Sequence, residues 1–317
     1  MKLHFSLETA LLLWFNQVRE KKIPLTGNIL REKAKKFAHD LGIEGFSASD
    51  GWLGKFRKRN GISWRKICGE ADNVIQETVD IYRQEVLDEL LDSYAAEDIF
   101  NLDEFGLFYK ALPDSTMSFK NDRCCDGKFA KNRLSVLAGS NLSGCEKLPL
   151  LVIGQSAKPR CFKNVTSLPT KYRNNSKSWM TSVLFEEELV EWDAKLRAAG
   201  RLVLCIVDNC SAHPKNLKSK LTNINLQFLP PNCTSVLQPM NMGIIKNLKH
   251  FYRSKLVNRV LMAIDDGVEA ESITVLDAMQ IISSSWSSVK EETIRNCFMK
   301  AGWIQVVVVV VCLLTIG

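Results

Sequence analysis

The stretch that most constrains the fold is Leu202-Val203-Leu204-Cys205-Ile206-Val207, six consecutive apolar residues that run into Asp208. An apolar run of this length, closed by Asn209-Cys210-Ser211-Ala212-His213-Pro214, suits a strand buried on both faces of a sheet. A sheet covered on both faces needs flanking helices, so the run points to an α/β architecture. The strand would deliver Asp208 to the carboxyl edge of the sheet, where open α/β folds place their ligands. What Asp208 does there depends on Asp103 and Asn241.

The remaining elements follow from periodicity. Residues 71–97 place Val79, Tyr82, Val86, Leu87, Leu90 and Leu91 at three- and four-residue intervals and read as a helical connector. Ile99 to Tyr109 alternates like a strand, with Asp103 in its middle. Residues 134–139 and 148–154 are two further β-like runs, joined through the turn chemistry of Asn141-Leu142-Ser143-Gly144. Arg160 to Lys177 is basic and polar, and a loop is expected there. Phe185 to Ala199 reads as a helix with Leu189, Trp192 and Leu196 inward, and Leu226 to Leu229 as a short strand stopped by Pro230-Pro231. A last helix opens near Pro239, with Ile244, Ile245, Leu248, Phe251 and Leu256 on one side and Lys246, Lys249 and Arg253 on the other. The order fits a mixed sheet flanked by helices, with Asp103, Asp208 and position 241 at one edge. Trp179, Trp192 and Trp286 are most simply core residues.

The positive charge is concentrated at the front. Residues 1–70 hold 14 Lys and Arg against 7 Asp and Glu, whereas residues 71–317 balance at 28 of each. A polyanion-binding module joined to a neutral domain accounts for this asymmetry. Leu7, Leu11, Trp14, Phe15 and Val18 define a first amphipathic helix, broken by Pro24. Thr26 caps a second, residues 28–41, with Ile29, Ala34, Phe37, Ala38 and Leu41 inward and Gly42 as its stop. Ser49 caps a third, with Trp52, Leu53 and Phe56 inward, Lys55, Arg57, Lys58 and Arg59 outward, and Gly61 at its end. Three short helices with a basic last one fit a helix-turn-helix that places its recognition helix in the major groove. The same pattern also fits a generic three-helix bundle with a solvated charged face.

Ten cysteines show no CxxC pair, so neither a zinc site nor a disulfide framework is expected, and reduced, mostly buried thiols are. The first residues have no signal-peptide layout. Val306 to Val311 is six valines in a row, and the apolar run that it opens is shorter than the roughly 20 residues a membrane helix needs. No function is read into that tail.

Several ordered blocks carry a family resemblance. Asn101-Leu102-Asp103-Glu104-Phe105-Gly106-Leu107-Phe108, Glu146 to Gly154, Lys158-Pro159-Arg160-Cys161-Phe162, Val207 to Pro214, Phe228-Leu229-Pro230-Pro231-Asn232 and Leu237-Gln238-Pro239-Met240 resemble the Tigger transposable-element-derived proteins, pogo-type DDE transposases turned host proteins. Ala48-Ser49-Asp50-Gly51-Trp52-Leu53 and Phe56 to Gly61 resemble the centromere-protein-B-type helix-turn-helix. The resemblance covers residues 7–300. It implies a helix-turn-helix DNA-binding domain over residues 1–67, a helical connector over 68–97, a ribonuclease-H-like DDE domain over 98–303, and an atypical hydrophobic tail over 304–317. It implies double-stranded DNA as partner and the nucleus as location, with Ser49, Lys55, Arg57, Lys58 and Arg59 facing DNA. No membrane association is expected; a homo-oligomer and other nuclear proteins are the further partners considered.

The resemblance also implies three carboxylates that hold two divalent ions for phosphodiester cleavage, since Mg²⁺ prefers hard oxygen ligands. Asp103 and Asp208 match the first two acidic positions and are the candidate metal ligands. The third falls on Asn241, in Met240-Asn241-Met242-Gly243, where the family pattern has Met-Asp-Gln-Gly. An amide oxygen brings no negative charge. Glu104 follows Asp103 directly, so on a strand it faces the opposite way and substitutes poorly. The expected function is therefore DNA binding without cleavage, needing no cofactor, with Mg²⁺ relevant only if the site is still active. An active metal-dependent endonuclease and a protein-interaction scaffold are the alternatives. Relatives usually carry a further helix-turn-helix in front, so weaker and strongly salt-dependent DNA binding is expected. His213 reads as a structural group in its turn, and Lys246, Lys249 and Arg253 read equally well as phosphate contacts and as a solvated face.

Overall fold

The computed structural model describes residues 2–21, 23, 25–63, 76–111, 132–268 and 272–304, in two compact units, Met1–Gly69 and Glu70–Gly317.

The first unit holds α1 (Lys2–Glu20), α2 (Gly27–Asp40) and α3 (Asp50–Arg59). Thr26 Oγ1 accepts the Ile29 backbone N–H at 3.4 Å and Ser49 Oγ accepts that of Trp52 at 3.2 Å, so each hydroxyl satisfies a donor that the helix start leaves open. Gly42 and Gly61 follow α2 and α3 with φ of 64° and 63°, the left-handed backbone that closes a helix. Leu11, Leu30, Ala34, Ala48, Leu53 and Phe56 form the core, with Trp14, Phe15, Phe37 and Trp52 around it. The inner face of α2 differs from the expected one. Leu30, Ala34 and Ala38 are buried while Ile29 and Leu41 are 43% and 39% exposed. The row of every fourth residue starting at Leu30 wins because it keeps two small alanines where α1 and α2 approach closely.

In the second unit, α4 (Gln76–Tyr82) runs through a π-helical turn, Arg83–Leu87, into α5 (Asp88–Ser93). Val79, Tyr82 and Leu87 are buried in the main core, so this helical segment is a packed layer of the second unit. The sheet follows as β1 (Ile99–Leu107), β2 (Leu134–Asn141), β3 (Leu151–Gly154), β4 (Lys171–Asn174), β5 (Val203–Val207) and β6 (Ile224–Phe228). Its order is β4-β3-β2-β1-β5-β6, with β1–β2 and β2–β3 antiparallel and the other pairs parallel. Helix α6 (Ser182–Ala198) precedes β5; α7 (Thr234–Leu237), a π-helical turn (Met240–Ile244), α8 (Ile245–Asp265), α9 (Val275–Ser288) and α10 (Glu291–Ala301) follow β6.

Strand alternation sorts the core into two layers. Ile99, Phe105, Val136, Ala138, Val152, Leu204 and Ile206 face α8, α9 and α10. Phe100, Leu102, Leu137, Leu151, Val203, Cys205 and Val207 face Phe185, Leu189 and Leu196 of α6. β5 is wholly buried, as its composition demands, but Leu202 lies outside it, 61% exposed. The edge strand β4 lies where a loop was expected. Its Lys-Tyr-Arg-Asn sequence shows no apolar alternation because only one edge is paired and its outer side chains meet solvent. Buried polar groups fasten the layers together. Asp193 Oδ1 accepts the backbone N–H groups of Thr222, Asn223 and Ile224 at 3.0, 2.7 and 3.0 Å, which fixes the start of β6. Lys147 Nζ donates to the carbonyls of Trp286, Ser287 and Val289 at the end of α9.

Cys145, Cys161, Cys205, Cys210, Cys233 and Cys297 are free thiols, of which Cys205, Cys233 and Cys297 are buried. Among the described residues no helix is long and apolar enough to cross a membrane. The valine run of the tail lies outside the described residues.

Candidate metal centre and nucleic-acid interface

Strands β1 and β5 run parallel with Asn101 opposite Ile206, so continuing that register by two residues sets Asp103 beside Asp208. Asp103 is 6% exposed. Burial holds its carboxyl well above the usual carboxylate range, and the neighbouring charges of Glu104 and Asp208 push the same way. The Glu104 backbone N–H, donated to Asp103 Oδ1 at 2.8 Å, only partly offsets this. Asp208 is shifted in the opposite direction. Partial burial works against its charge, but hydrogen bonds from His213 and Cys210 prevail and keep its carboxyl below the usual range.

His213 explains that difference. It is buried, with Nδ1 2.8 Å from Asp208 Oδ1, Nε2 2.9 Å from Glu104 Oε1, and its ring centroid 4.0 Å from that of Phe185. Burial alone would lower its pKa, but the hydrogen bonds with Asp208, Cys210 and Glu104 outweigh that and raise it. Glu104 thus faces away from Asp103, as alternation requires, and is tied back to Asp208 through the imidazole. Asp208, Cys210 and His213 bring potential ligand atoms within 4.8 Å of one another. With both ring nitrogens turned to carboxylates, a metal ion at this cluster would have to displace one of those contacts.

Asn241 is the second residue of the π-helical turn and is exposed. Its backbone N–H donates to Gln238 O at 3.0 Å and its Nδ2 to Gln238 Oε1 at 3.3 Å. Gln238 is buried, with Nε2 donating to Leu102 O at 3.4 Å. Asn101, also buried, gathers these pieces: its Nδ2 donates to Ile206 O at 3.0 Å and its Oδ1 accepts the Met240 N–H at 2.8 Å. One side chain therefore holds β1, the end of β5 and the turn bearing Asn241 in fixed relation. Lys249 borders the edge, its Nζ 4.9 Å from the Phe105 ring centroid. Burial lowers its pKa and Arg253 adds to that, while Asp103 pulls it back up. Lys246 and Arg253 on the same helix are exposed.

The candidate donors expected from the sequence are the carboxylates of Asp103 and Asp208 and the amide oxygen of Asn241. Asp103 and Asp208 could hold a single hard divalent cation, whose charge would offset the burial and the neighbouring carboxylates that raise the Asp103 pKa. A pair of ions would draw on more anionic oxygens than these two carboxylates offer, one of which is already turned to His213.

The basic helix of the first unit is less uniform than its sequence. Lys55 and Lys58 are exposed. Arg59 is bound to Glu8 of α1, with Nε donating to Oε2 at 3.2 Å. Ser49 Oγ serves as the α3 cap, and Asp50 beside it is paired with Arg31 at 2.6 Å. Sequence reasoning missed Asn101, Gln238 and the Glu104–His213 pairing. Asn101 and Gln238 do leave a signal, as polar residues among apolar ones at positions that must be buried.

Residues 131–298 match the family model described as DDE superfamily endonuclease, and residues 5–66 match that of the Tc5 transposase DNA-binding domain. Tigger transposable element-derived protein 4 of Mus musculus is 39% identical over 299 residues, covering 94% of this chain and 57% of the relative. Major centromere autoantigen B of Homo sapiens is 31% identical, covering 94% and 52%. The CENP-B homolog protein 2 of Schizosaccharomyces pombe is 32% identical, covering 94% and 60%. The chain thus spans somewhat more than half the length of these relatives. Among solved structures, a mariner Mos1 paired end complex with Mg superposes with a TM-score of 0.52 at 11% identity, covering 93% of this chain and 76% of that one. The Mos1 strand transfer complex gives 0.50 at 12% identity, covering 93% and 75%. Likeness at these identities speaks for the fold alone: a helical unit followed by a ribonuclease-H-like mixed sheet with flanking helices.

Proposed function

The chain belongs to the pogo/Tigger-type DDE transposases with a Tc5-type DNA-binding domain, and from that premise we propose a nuclear, domesticated transposase-derived protein that binds double-stranded DNA without cutting it. The observation that carries the second half is the amide at position 241. Asp103 and Asp208 would hold one divalent ion, which when bound would polarise a phosphodiester. Asn241 adds an oxygen without charge, and its amide already serves Gln238. His213 keeps Asp208 ionised and oriented, and Lys249, with Lys246 and Arg253 beside it, supplies positive charge for a phosphate backbone at the same edge. These residues suit retention of DNA better than its cleavage.

DNA contact is assigned first to Lys55, Lys58 and Arg57 of α3, with Arg59 and Ser49 holding the helix in shape, and a domain division at 67, 97 and 303 goes with this reading. A homo-oligomer or other nuclear proteins would then act on the DNA-bound form. The test is a gel-shift and nicking experiment on DNA selected from a random pool. Binding lost when Lys55, Arg57, Lys58 and Arg59 are replaced together is the expected result. Mg²⁺- or Mn²⁺-dependent nicking that disappears with Asp208→Ala would overturn the non-cutting part. That active-endonuclease reading is kept as the second one because both Asp103 and Asp208 are retained.

A further inference from the structure

The sequence placed Trp179 in the core, yet its side chain is among the most exposed large apolar groups in the second unit, at 58%. The loop that carries it is firmly built. Asn175 Oδ1 accepts the N–H groups of Lys177 and Trp179 at 3.1 and 3.2 Å, and Asn175 Nδ2 donates to Trp179 O at 2.5 Å. The Asn175 N–H is bound to Gly154 O at 3.1 Å, and Ser135 Oγ donates to Ser178 O at 2.6 Å. An indole of this area displayed on an anchored loop keeps apolar surface in water that a small rearrangement could hide.

One ring face is already in use. The Arg133 guanidinium carbon lies 4.4 Å from the Trp179 ring centroid. Arg133 reaches that place because β1 has a glycine beneath it: a Cβ on Gly106 would come 3.0 Å from Arg133 Cδ. With Arg133 against it, the indole still stays largely exposed. A planar cation on one side makes the ring a better stacking partner for a flat aromatic group on the other, and Lys177 alongside is exposed to a phosphate.

Gly106 lies two residues beyond Glu104 on the face of β1 turned away from Asp103, about 7 Å along the strand, so the ring reaches the acidic edge from the Glu104 side. Glu104 is bound to His213, and His213 to Asp208. We infer that Trp179, backed by Arg133, is a stacking platform for an unpaired nucleobase of DNA held at the acidic edge. A paired base inside a duplex offers no free face, so the platform selects frayed, forked or bulged DNA over continuous duplex. The inference rests on the DNA-binding reading above.

The experiment uses the full chain with two probes: a continuous duplex and a forked duplex carrying 2-aminopurine at the first unpaired position. Fluorescence anisotropy reads affinity, and 2-aminopurine quenching reads stacking. The forked probe is expected to bind roughly tenfold more tightly than the duplex, the scale of one aromatic–base stack. Trp179→Ala should abolish that preference and the quenching while leaving duplex affinity unchanged, and Trp179→Phe should restore part of both. Equal binding of the two probes without quenching, duplex binding being intact, overturns the platform and leaves the DNA-binding reading standing. Failure to bind either probe overturns both. Light scattering that shows a dimer dissolved by Trp179→Ala, with fork preference unchanged, assigns the ring to a protein contact and overturns the inference as well.

Discussion

Asn101 and Met240 are joined by a buried hydrogen bond of 2.8 Å, from the Met240 backbone N–H to the Asn101 side-chain oxygen. With its amide nitrogen on Ile206 O, Asn101 fixes how the turn carrying Asn241 stands against the strand carrying Asp208. Removing it leaves a buried donor and a buried acceptor without partners. Asn101→Ala is expected to destabilise the second unit by about 2–4 kcal/mol in urea unfolding. A loss below about 1 kcal/mol would mean that the π-helical turn is held by its apolar residues alone.

The cap on β6 is pH-dependent. Burial opposes the charge of Asp193, but hydrogen bonds from Asn223, Thr222 and Ile224 prevail and hold its carboxyl below the usual value of 3.8. A depressed folded-state pKa contributes stability above the unfolded value and loses it as pH falls through the folded one. Asp193→Asn should therefore destabilise by about 2 kcal/mol at pH 7, the scale of hydrogen bonds to a charged group. The difference from the parent should shrink below pH 4. Thermal melts at pH 7 and pH 3 measure it, and a gap that stays constant across that range would count against the charge as its origin.

Asp103 has the reverse sign. Its folded-state pKa is raised, so the folded state loses stability as pH climbs from the unfolded value through the folded one. Asp103→Asn should raise the melting temperature at pH 7, and the gain should vanish below pH 3.8, where the carboxyl is protonated in both states. Mg²⁺ or Mn²⁺ should stabilise the parent and not this variant. A melting curve of the parent indifferent to both ions would remove Asp103 and Asp208 as ligands.

On the basic helix the four cations are not equivalent. Lys55→Ala with Lys58→Ala should lower duplex affinity and flatten its dependence on log salt concentration by about two counterions. Arg59→Ala should change the salt slope little, because that guanidinium is bound to Glu8. Binding isotherms from 50 to 200 mM NaCl distinguish the two, and equal slopes for all variants would place the DNA elsewhere.

Much of the architecture was legible because strong periodic signals coincide with burial. The Val203–Val207 run, the alternation around Asp103 and the caps at Thr26, Ser49 and Gly42 all depend on local chemistry. β4 was not legible, since an edge strand with polar side chains carries no pattern. Trp179 was misplaced because indole area alone says core, and only the positions of Asn175 and Arg133 decide otherwise. At the site, the sequence could place Asp103 and Asp208 on strands at one edge of the sheet, while their roles and that of Asn241 came from the family resemblance. The link from Glu104 through His213 to Asp208 could not be read, because the two carboxylates it joins lie 104 positions apart.

An Asn and an Asp at position 241 have nearly the same shape but differ in charge and in what they offer Gln238, a donor against an acceptor. Gln238 accepts from the amide through Oε1, and rotating its own amide by half a turn would present Nε2 to a carboxylate. Turning would give up the hydrogen bond to Leu102 O and set two carbonyl oxygens against each other in a buried site. Gln238 as it stands is thus matched to an amide at position 241, and a carboxylate there would reach beyond the metal edge into the packing of β1.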